Sequence, residues 1–342
     1  MKKVILAVIV IVLLVIVVGV TSNKSSTNLT IGVIGPFSGP AASAGESIQR
    51  SLGLVATSSG VNFVYEDDQC DIKKALSAYQ NLKLKDVKVF YAACSGSVSA
   101  LAPLAAQDGN VILTAYAGSS DIRKTGTEVI RFIPDALTIV DAINEYIAAH
   151  PEDTYAVLYQ NQDYAKSVVD ALSDKAKVVF KEAYLPEDKT YLTLITKIKG
   201  SGATKVIYVP VSDIAAKEVL KEMQTLKLNL PIIGDVNLCD YSFSPKDFGL
   251  HGVCWRAELT TAGFEDFKTT FKATYNADPA YPFYDAVTYD VGTLLTQLLP
   301  KTKSIEELKK TILAGVEGKI TKYTFEPNGE VIGSKYLVQV EF

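Results

Sequence analysis

Histidine is nearly missing from this chain of 342 residues: only His150 and His251 occur, each alone. None of the four cysteines, Cys70, Cys94, Cys239 and Cys254, stands two residues from another, which leaves no zinc site of the usual Cys/His spacing. Charge of one sign is lacking as well. Lys plus Arg number 34 against 38 Asp plus Glu, a formal net charge of −4 without blocks of like sign, and nothing in that balance calls for nucleic acid. No G-x-S-x-G elbow surrounds the serines of "AACSGSVSA" (92–100), and neither histidine lies in a segment that suggests a partner base, so a serine nucleophile is disfavoured. A small neutral or zwitterionic partner fits the charge balance better, and no cofactor is implied.

Long apolar runs are confined to one place. Two lysines precede an unbroken apolar stretch from Val4 to Val20, which then turns polar. This is an export signal, longer than the usual signal-peptide core and slightly short for a secure membrane span. A cleaved signal and a retained anchor both fit, the anchor being preferred, and no nearby cysteine supports lipid attachment. The lysines predict an N-in orientation with the remainder outside the cytoplasm. Four cysteines in an exported chain read as two disulfides. Pairing Cys70 with Cys94 and Cys239 with Cys254 closes two short loops, the first worth about 3 kcal/mol on a chain-entropy argument. The other two connectivities stay open.

What the chain has in abundance is alternation. With 48% hydrophobic and 21% charged residues it is globular and long enough for two domains. Strand-like runs "LTIGVIG", "VNFVYED", "VKVFYAA" and "NVILTAY" are separated by helical stretches such as "IKKALSAYQNLKL". Continuous Val, Ile, Tyr and Phe runs between amphipathic helices predict a parallel sheet covered on both faces. After "VIRFIPD" the alternation restarts through "TYAVLYQ", "KVVFKEAYL", "KVIYVPV" and "LPIIGDV". The expected fold is α/β, two doubly wound lobes with a cleft at the carboxyl ends of their strands. Three late helical stretches come without interleaved strands and should complete an earlier lobe. "EPNGEV" reads as a hairpin turn joining the final two strands. Acids in "YEDDQCD" (Glu66, Asp67, Asp68, Asp71) lack the spacing of a calcium loop and read as a solvated strand end.

The order and spacing of "IGVIGPFSGP", "EDDQC", "AACSGS", "QNQDYAKS" and "YDAV…FEPNGEV" resemble the type I periplasmic binding proteins of branched-chain amino acid transport, from about Asn28 to the C-terminus. The resemblance implies three crossings between lobes and a disulfide between Cys70 and Cys94. It says nothing of Cys239 and Cys254. The expected division is 1–22 signal or anchor, 23–28 linker, 29–135 with 260–322 as one lobe, and 136–259 with 323–342 as the other.

For the site, a helix opening after a strand offers unpaired N–H groups to an anion. The resemblance implies that Ser95 adds a hydroxyl to a ligand carboxylate, whereas Ser97 and Ser99 read as helix caps. At the next strand end it implies a backbone carbonyl at Tyr116 for an ammonium and an N–H at Gly118, with Ser119 restoring a missing hydroxyl and Ala117 between them. Gly118 also reads as a turn residue needing positive φ. Tyr164 matches a tyrosine that closes over the ligand. Ala44, Ser212 and Val236 depart from an aromatic, a second tyrosine and a glutamate. A buried amine needs a counter-charge, for which Asp213 and Asp235 are the nearest substitutes, and Phe37 is a candidate pocket wall beside Tyr116. The implied function is extracytoplasmic capture of an amino acid or related carboxylate for an ABC transporter permease, without catalysis. A sensory ectodomain and a serine hydrolase are the alternatives.

Overall fold

Strand β1 (Leu29–Gly35) is an interior strand of a five-stranded sheet with β2 (Val61–Asp67), β3 (Val89–Ala92), β4 (Val111–Thr114) and β5 (Val129–Arg131), in the order β2-β1-β3-β4-β5. All four pairings are parallel. In this computed structural model residues 29–56, 61–332 and 337–342 are described, so the expected signal or anchor at 4–20 and the linker at 23–28 lie outside the described residues. Period-two alternation divides each strand between two cores. Ile31, Val33, Tyr91 and Leu113 point to one face, and Ile34, Phe90 and Ile112 to the other. The second face is covered by α2 (Ile72–Lys83) and α3 (Ser95–Asp108).

A second sheet contains β6 (Tyr155–Gln160), β7 (Val178–Tyr184), β8 (Lys205–Val209), β9 (Ile232–Gly234), β10 (Gly252–Ala257) and β13 (Leu337–Glu341), ordered β13-β10-β9-β8-β6-β7. Its pairings are parallel except that β13 runs antiparallel to β10. Helices α4 (Ala136–Ala149) and α5 (Asp163–Asp170) cover one face. On the other lie α6 (Leu192–Gly200) and α7 (Asp213–Thr225), and the short α8 (Val236–Asp240) contributes Leu238 there.

The late helices α9 (Ala262–Tyr275), α10 (Pro282–Leu298) and α11 (Ile305–Leu313) return to the first sheet. Phe264, Phe271, Val287, Leu295 and Ile312 join the same core as Ile31 and Val33, together with α1 (Ala42–Ala56). Gly292 is needed where α10 crosses α1, because a Cβ there would stand 2.9 Å from Leu52. The final crossing comes later than the 322/323 boundary expected from sequence. Strand β12 (Lys322–Tyr323) pairs with β11 (Val316–Glu317), and the rings of Tyr323 and Phe325 sit edge-on to Phe132 at 5.0 and 5.1 Å. Among the described residues after β12, those of β13 (Leu337–Glu341) enter the second sheet.

"EPNGEV" does turn, with Gly329 at φ 89° and Phe325 bridged to Val331, but it does not join the final two strands. Glu330 is captured by Arg131 instead, in a parallel bridge and an ion pair. Both sequential disulfides form, Cys70–Cys94 with Cα atoms 5.3 Å apart and Cys239–Cys254 at 5.7 Å. Among the described residues no helix is long and apolar enough to cross a membrane.

Candidate functional site

The carboxyl ends of both sheets converge on one cavity of about 560 Å³, where open α/β sheets bind their ligands. From the first sheet come Pro36 after β1, the Ala93–Gly96 turn after β3, and Tyr116 with Gly118 after β4. The second supplies Asn161–Tyr164 after β6, Val211 after β8, and Val236 with Asn237 after β9. The two sides touch. Ser43 Oγ donates to Asp213 Oδ1 at 2.7 Å, and Ser212 Oγ donates to the Pro40 carbonyl at 2.5 Å.

Cys94, tied to Cys70, occupies the N-cap of α3 without any side-chain cap bond. The first-turn amides of that helix have no intrahelical partner, and Gly96 at their centre lets the Asp163 carboxylate of the other side come down onto the backbone, with no room for a Cβ between them. Ser95 lines the cavity. Its Oγ accepts from Ser119 N–H at 3.1 Å, which keeps the hydroxyl proton available to a ligand acceptor. Ser97 is not a cap: it is fully buried and donates to Asp68 Oδ2 at 2.6 Å. Nor is "YEDDQCD" a solvated strand end throughout. Asp68 has no exposure, also accepts from Cys70 N–H, and burial raises its pKa. Asp67 meanwhile holds Phe37 N–H and Ser38, while Asp71 caps α2.

After β4, Tyr116 turns its ring into the cavity and its hydroxyl to Asp285 Oδ1 at 2.7 Å. Ala117 and Ser119 are fully buried behind the wall. Their carbonyls both accept from the Arg131 guanidinium, at 3.2 and 2.7 Å, so this loop is braced from within. Gly118 reaches the cavity, but not because it needs positive φ. A Cβ there would lie 2.9 Å from Tyr164 Cε2, so glycine is what lets the tyrosine of the opposite side come down.

Tyr164 lines the cavity with its hydroxyl shut away from solvent. The hydroxyl lies against the Asp235 carboxyl, and each shifts the other's ionisation, although the contact is not a hydrogen bond of ordinary geometry. Asp235 Oδ1 caps α8 through Leu238 N–H. Burial pushes its pKa up to about 7. Asp213 begins α7 and accepts from Ser43 across the cleft. Val236 and Ala44 line the cavity, while Ser212 seals the two sides behind it. Phe37 does not line it and packs edge-on to Tyr65 at 5.4 Å.

Sequence reasoning missed "YPFYDAV" as a wall. Tyr281, Phe283 and Tyr284 all face the cavity. Behind them Asp285 is fully buried, accepts from Tyr116, Ser47 and Tyr281 N–H, and has its pKa raised by burial to about 6. The available signal was an aspartate on the apolar face of a helix, which must find partners when buried. Asp68, Cys70 and Cys94 are the single metal-like cluster among the described residues, and the disulfide takes both sulfurs away from it.

The fold agrees with that of solved relatives. A "Leu/Ile/Val-binding protein homolog 3" of Brucella melitensis is 24% identical over 204 residues, 55% of this chain and 55% of that protein, so the chain spans about half of that relative's length. The branched-chain amino acid transporter substrate-binding protein LivJ of Streptococcus pneumoniae, solved with isoleucine, superposes with a TM-score of 0.76 at 17% identity, covering 92% of this chain and 100% of its own. A solute-binding protein of an R. palustris ABC transporter, solved with benzoate, gives 0.77 at 19%, covering 91% and 95%. At such identities these two structures speak for the fold alone. The sequence profile described as "Periplasmic binding protein" matches residues 28–341, and the chain therefore belongs to the periplasmic binding protein family.

Proposed function

We propose that this chain is an extracytoplasmic solute-binding protein that captures an amino acid or similar small carboxylate in the cleft and hands it to an ABC transporter permease. One observation carries the reading: the α3 N-terminus and the Ser95 hydroxyl lie at a cavity walled by both sheets, whose lining combines tyrosine rings with polar groups such as Lys73, Asp163 and Asn237. A carboxylate is what bare helix amides and a free hydroxyl proton recognise. The Tyr116, Tyr164, Tyr281 and Tyr284 rings supply the apolar enclosure that small-molecule sites use. Isoleucine in one structural relative and benzoate in another are both small carboxylates, which is consistent with a shared anion end and a variable remainder.

In operation, the solute first meets the side built by α3 and the Tyr116–Ser119 loop. Contacts from Tyr164 then favour the closed arrangement, a population shift whose size equals the ligand's differential affinity for the two states. Nothing in this cycle breaks a bond. The apolar stretch 4–20 would serve export or tethering near the permease.

Thermal unfolding of the full chain, stripped of carried-over ligand, against amino acids and other small carboxylates tests the proposal. A ligand at a hundred times its dissociation constant stabilises by about 2.7 kcal/mol. The expected result is a raised midpoint with at least one carboxylate. No shift with any member of the panel overturns the reading.

A further inference from the structure

Four tyrosines wall part of the cavity, and they offer it rings more than hydroxyls. Tyr116, Tyr164, Tyr281 and Tyr284 all line it. Tyr116 touches two of the others: the Tyr281 ring stands at 80° to it with centroids 6.2 Å apart, and the Tyr284 ring is tilted by 35° at 5.2 Å. Tyr164 comes from the second sheet's side and rests on Gly118, in the loop that Tyr116 begins. Three of the hydroxyls are engaged or hidden. Tyr116 Oη donates to Asp285 Oδ1 at 2.7 Å, Tyr281 Oη lies 2.9 Å from Ser43 Oγ, and Tyr164 Oη is shut away from solvent. Beside the rings the lining is apolar, with Ala44 and Val236 packed on the same cores. The acids of the lining are committed elsewhere: Asp71 caps α2, Asp135 pairs with Arg123, and Asp163 is exposed and lies against Gly96 at the α3 end.

Such a wall suits a cation that carries no N–H. A primary ammonium brings three donors that each need an acceptor, whereas a trimethylated nitrogen needs none: its charge is spread over methyl groups that pack on ring faces and are drawn to the ring quadrupole. Asp285 adds to the attraction. It is fully buried, accepts from Tyr116, Ser47 and Tyr281 N–H, and is paired with no lysine or arginine among the described residues. The hydrogen bond it takes from Tyr116 also makes that ring richer in electrons. We propose that Tyr116, Tyr164, Tyr281 and Tyr284 form an aromatic box for a quaternary ammonium group, and that the solute is a quaternary-ammonium carboxylate, that is, a fully N-methylated amino acid. This rests on the solute-binding reading and names its substrate class. One loop joins the two ends of the site. Tyr116 begins it and Ser119 N–H donates from it to Ser95 Oγ at 3.1 Å, so a carboxylate at Ser95 and a cation at Tyr116 belong to one small molecule.

Calorimetric titration of the ligand-free full chain with trimethylglycine, tert-butylacetate, L-leucine and benzoate tests this. The first two have the same shape and differ in a positive nitrogen against a neutral carbon, so the ratio of their affinities isolates the contribution of the charge. Trimethylglycine should bind at least tenfold tighter than tert-butylacetate and tighter than leucine or benzoate. Tyr281→Leu should cut the ratio at least threefold, while Tyr281→Phe, which keeps the ring, should leave it within twofold of the unaltered chain. A merely structural role for Tyr281 would weaken both probes together and leave the ratio in Tyr281→Leu unchanged, which overturns the box. Equal binding of trimethylglycine and tert-butylacetate, or tighter binding of leucine or benzoate, overturns it as well and leaves the solute-binding reading standing. If trimethylglycine fails to bind while another carboxylate does, the box falls alone; if none of the four binds and a wider carboxylate panel shifts nothing, both readings fall.

Discussion

Gly118 and Tyr164 meet across the cleft: the Tyr164 ring rests on the bare α-carbon of Gly118, with no room for a methyl group between them. The tyrosine comes from the second sheet's side and the glycine from the first. Gly118→Ala should therefore hold the two sides apart. Overpacking of this kind costs about 1–3 kcal/mol, here charged against the closed state. Ligand affinity is expected to fall at least tenfold, and small-angle scattering with saturating ligand should show a larger radius of gyration than in the unaltered chain. An unchanged affinity would mean that closure does not bring these residues together.

Ser95→Ala removes the one hydroxyl that both receives Ser119 N–H and has a proton left for the ligand. Loss of a hydrogen bond to a charged group is worth about 1.5–3 kcal/mol, so affinity for any carboxylate should drop by roughly tenfold to a hundredfold on that figure. The unfolding midpoint of the ligand-free chain should fall much less. Calorimetry and a thermal scan on the same sample separate the two effects.

Arg131 is fully buried with Glu330, and its guanidinium also holds the carbonyls of Ala117 and Ser119. Removing one partner of a buried pair strands the other, at about 3–5 kcal/mol. Arg131→Met is expected to lower stability by that order in denaturant titration. Arg131→Met combined with Glu330→Gln should be more stable than Arg131→Met alone, because no charge is then left unpaired. Both variants should bind more weakly, since the loop that presents Gly118 has lost its brace.

Acidity should favour the empty protein over a defined range. Asp235 keeps its proton up to about pH 7 when folded, against an ordinary value of 3.8, and Asp285 up to about 6. Folding thus takes up protons between about pH 4 and 7, and stability from these two groups is lost as pH rises through that window. The groups facing Asp235 are Tyr164, Tyr184, Tyr241, Tyr284 and Asp240, none of them a cation. The ligand-free midpoint should be higher at pH 5 than at pH 8, and Asp235→Asn should flatten the slope. A midpoint that rises from pH 5 to pH 8 would contradict the burial of these acids.

The two-sheet architecture was readable because each core strand is a short apolar run whose neighbours along the chain also pack beside it. "LTIGVIG" and "VKVFYAA" needed no tertiary information to be placed on a covered parallel sheet. The cavity was half readable. Ser95, Tyr116 and Gly118 follow strand ends directly, where local order places a site, and the family resemblance is what singled out these residues and Tyr164 at the start of α5. Tyr281, Tyr284 and Asp285 sit on α10, far along the chain, and become walls only because the late helices fold back over the first sheet. Phe37 follows a strand end as well, yet Asp67 takes its N–H and Tyr65 its ring, a pairing made between separate strand ends. Asp68 looked solvated among its acidic neighbours for the same reason: Ser97, 29 positions away, is the partner that draws it inside.

Strand β1 opens the first sheet at Leu29, and β13 closes the second at Glu341. Whatever holds the segment before Leu29 therefore grips one side only. If that side is fixed near a membrane surface, opening and closing become a swing of the other side alone, with the C-terminal strand riding on the moving part. The permease proposed above would then meet one stationary face and one that changes angle, and loading would be reported by the position of the side farther from the fixed one.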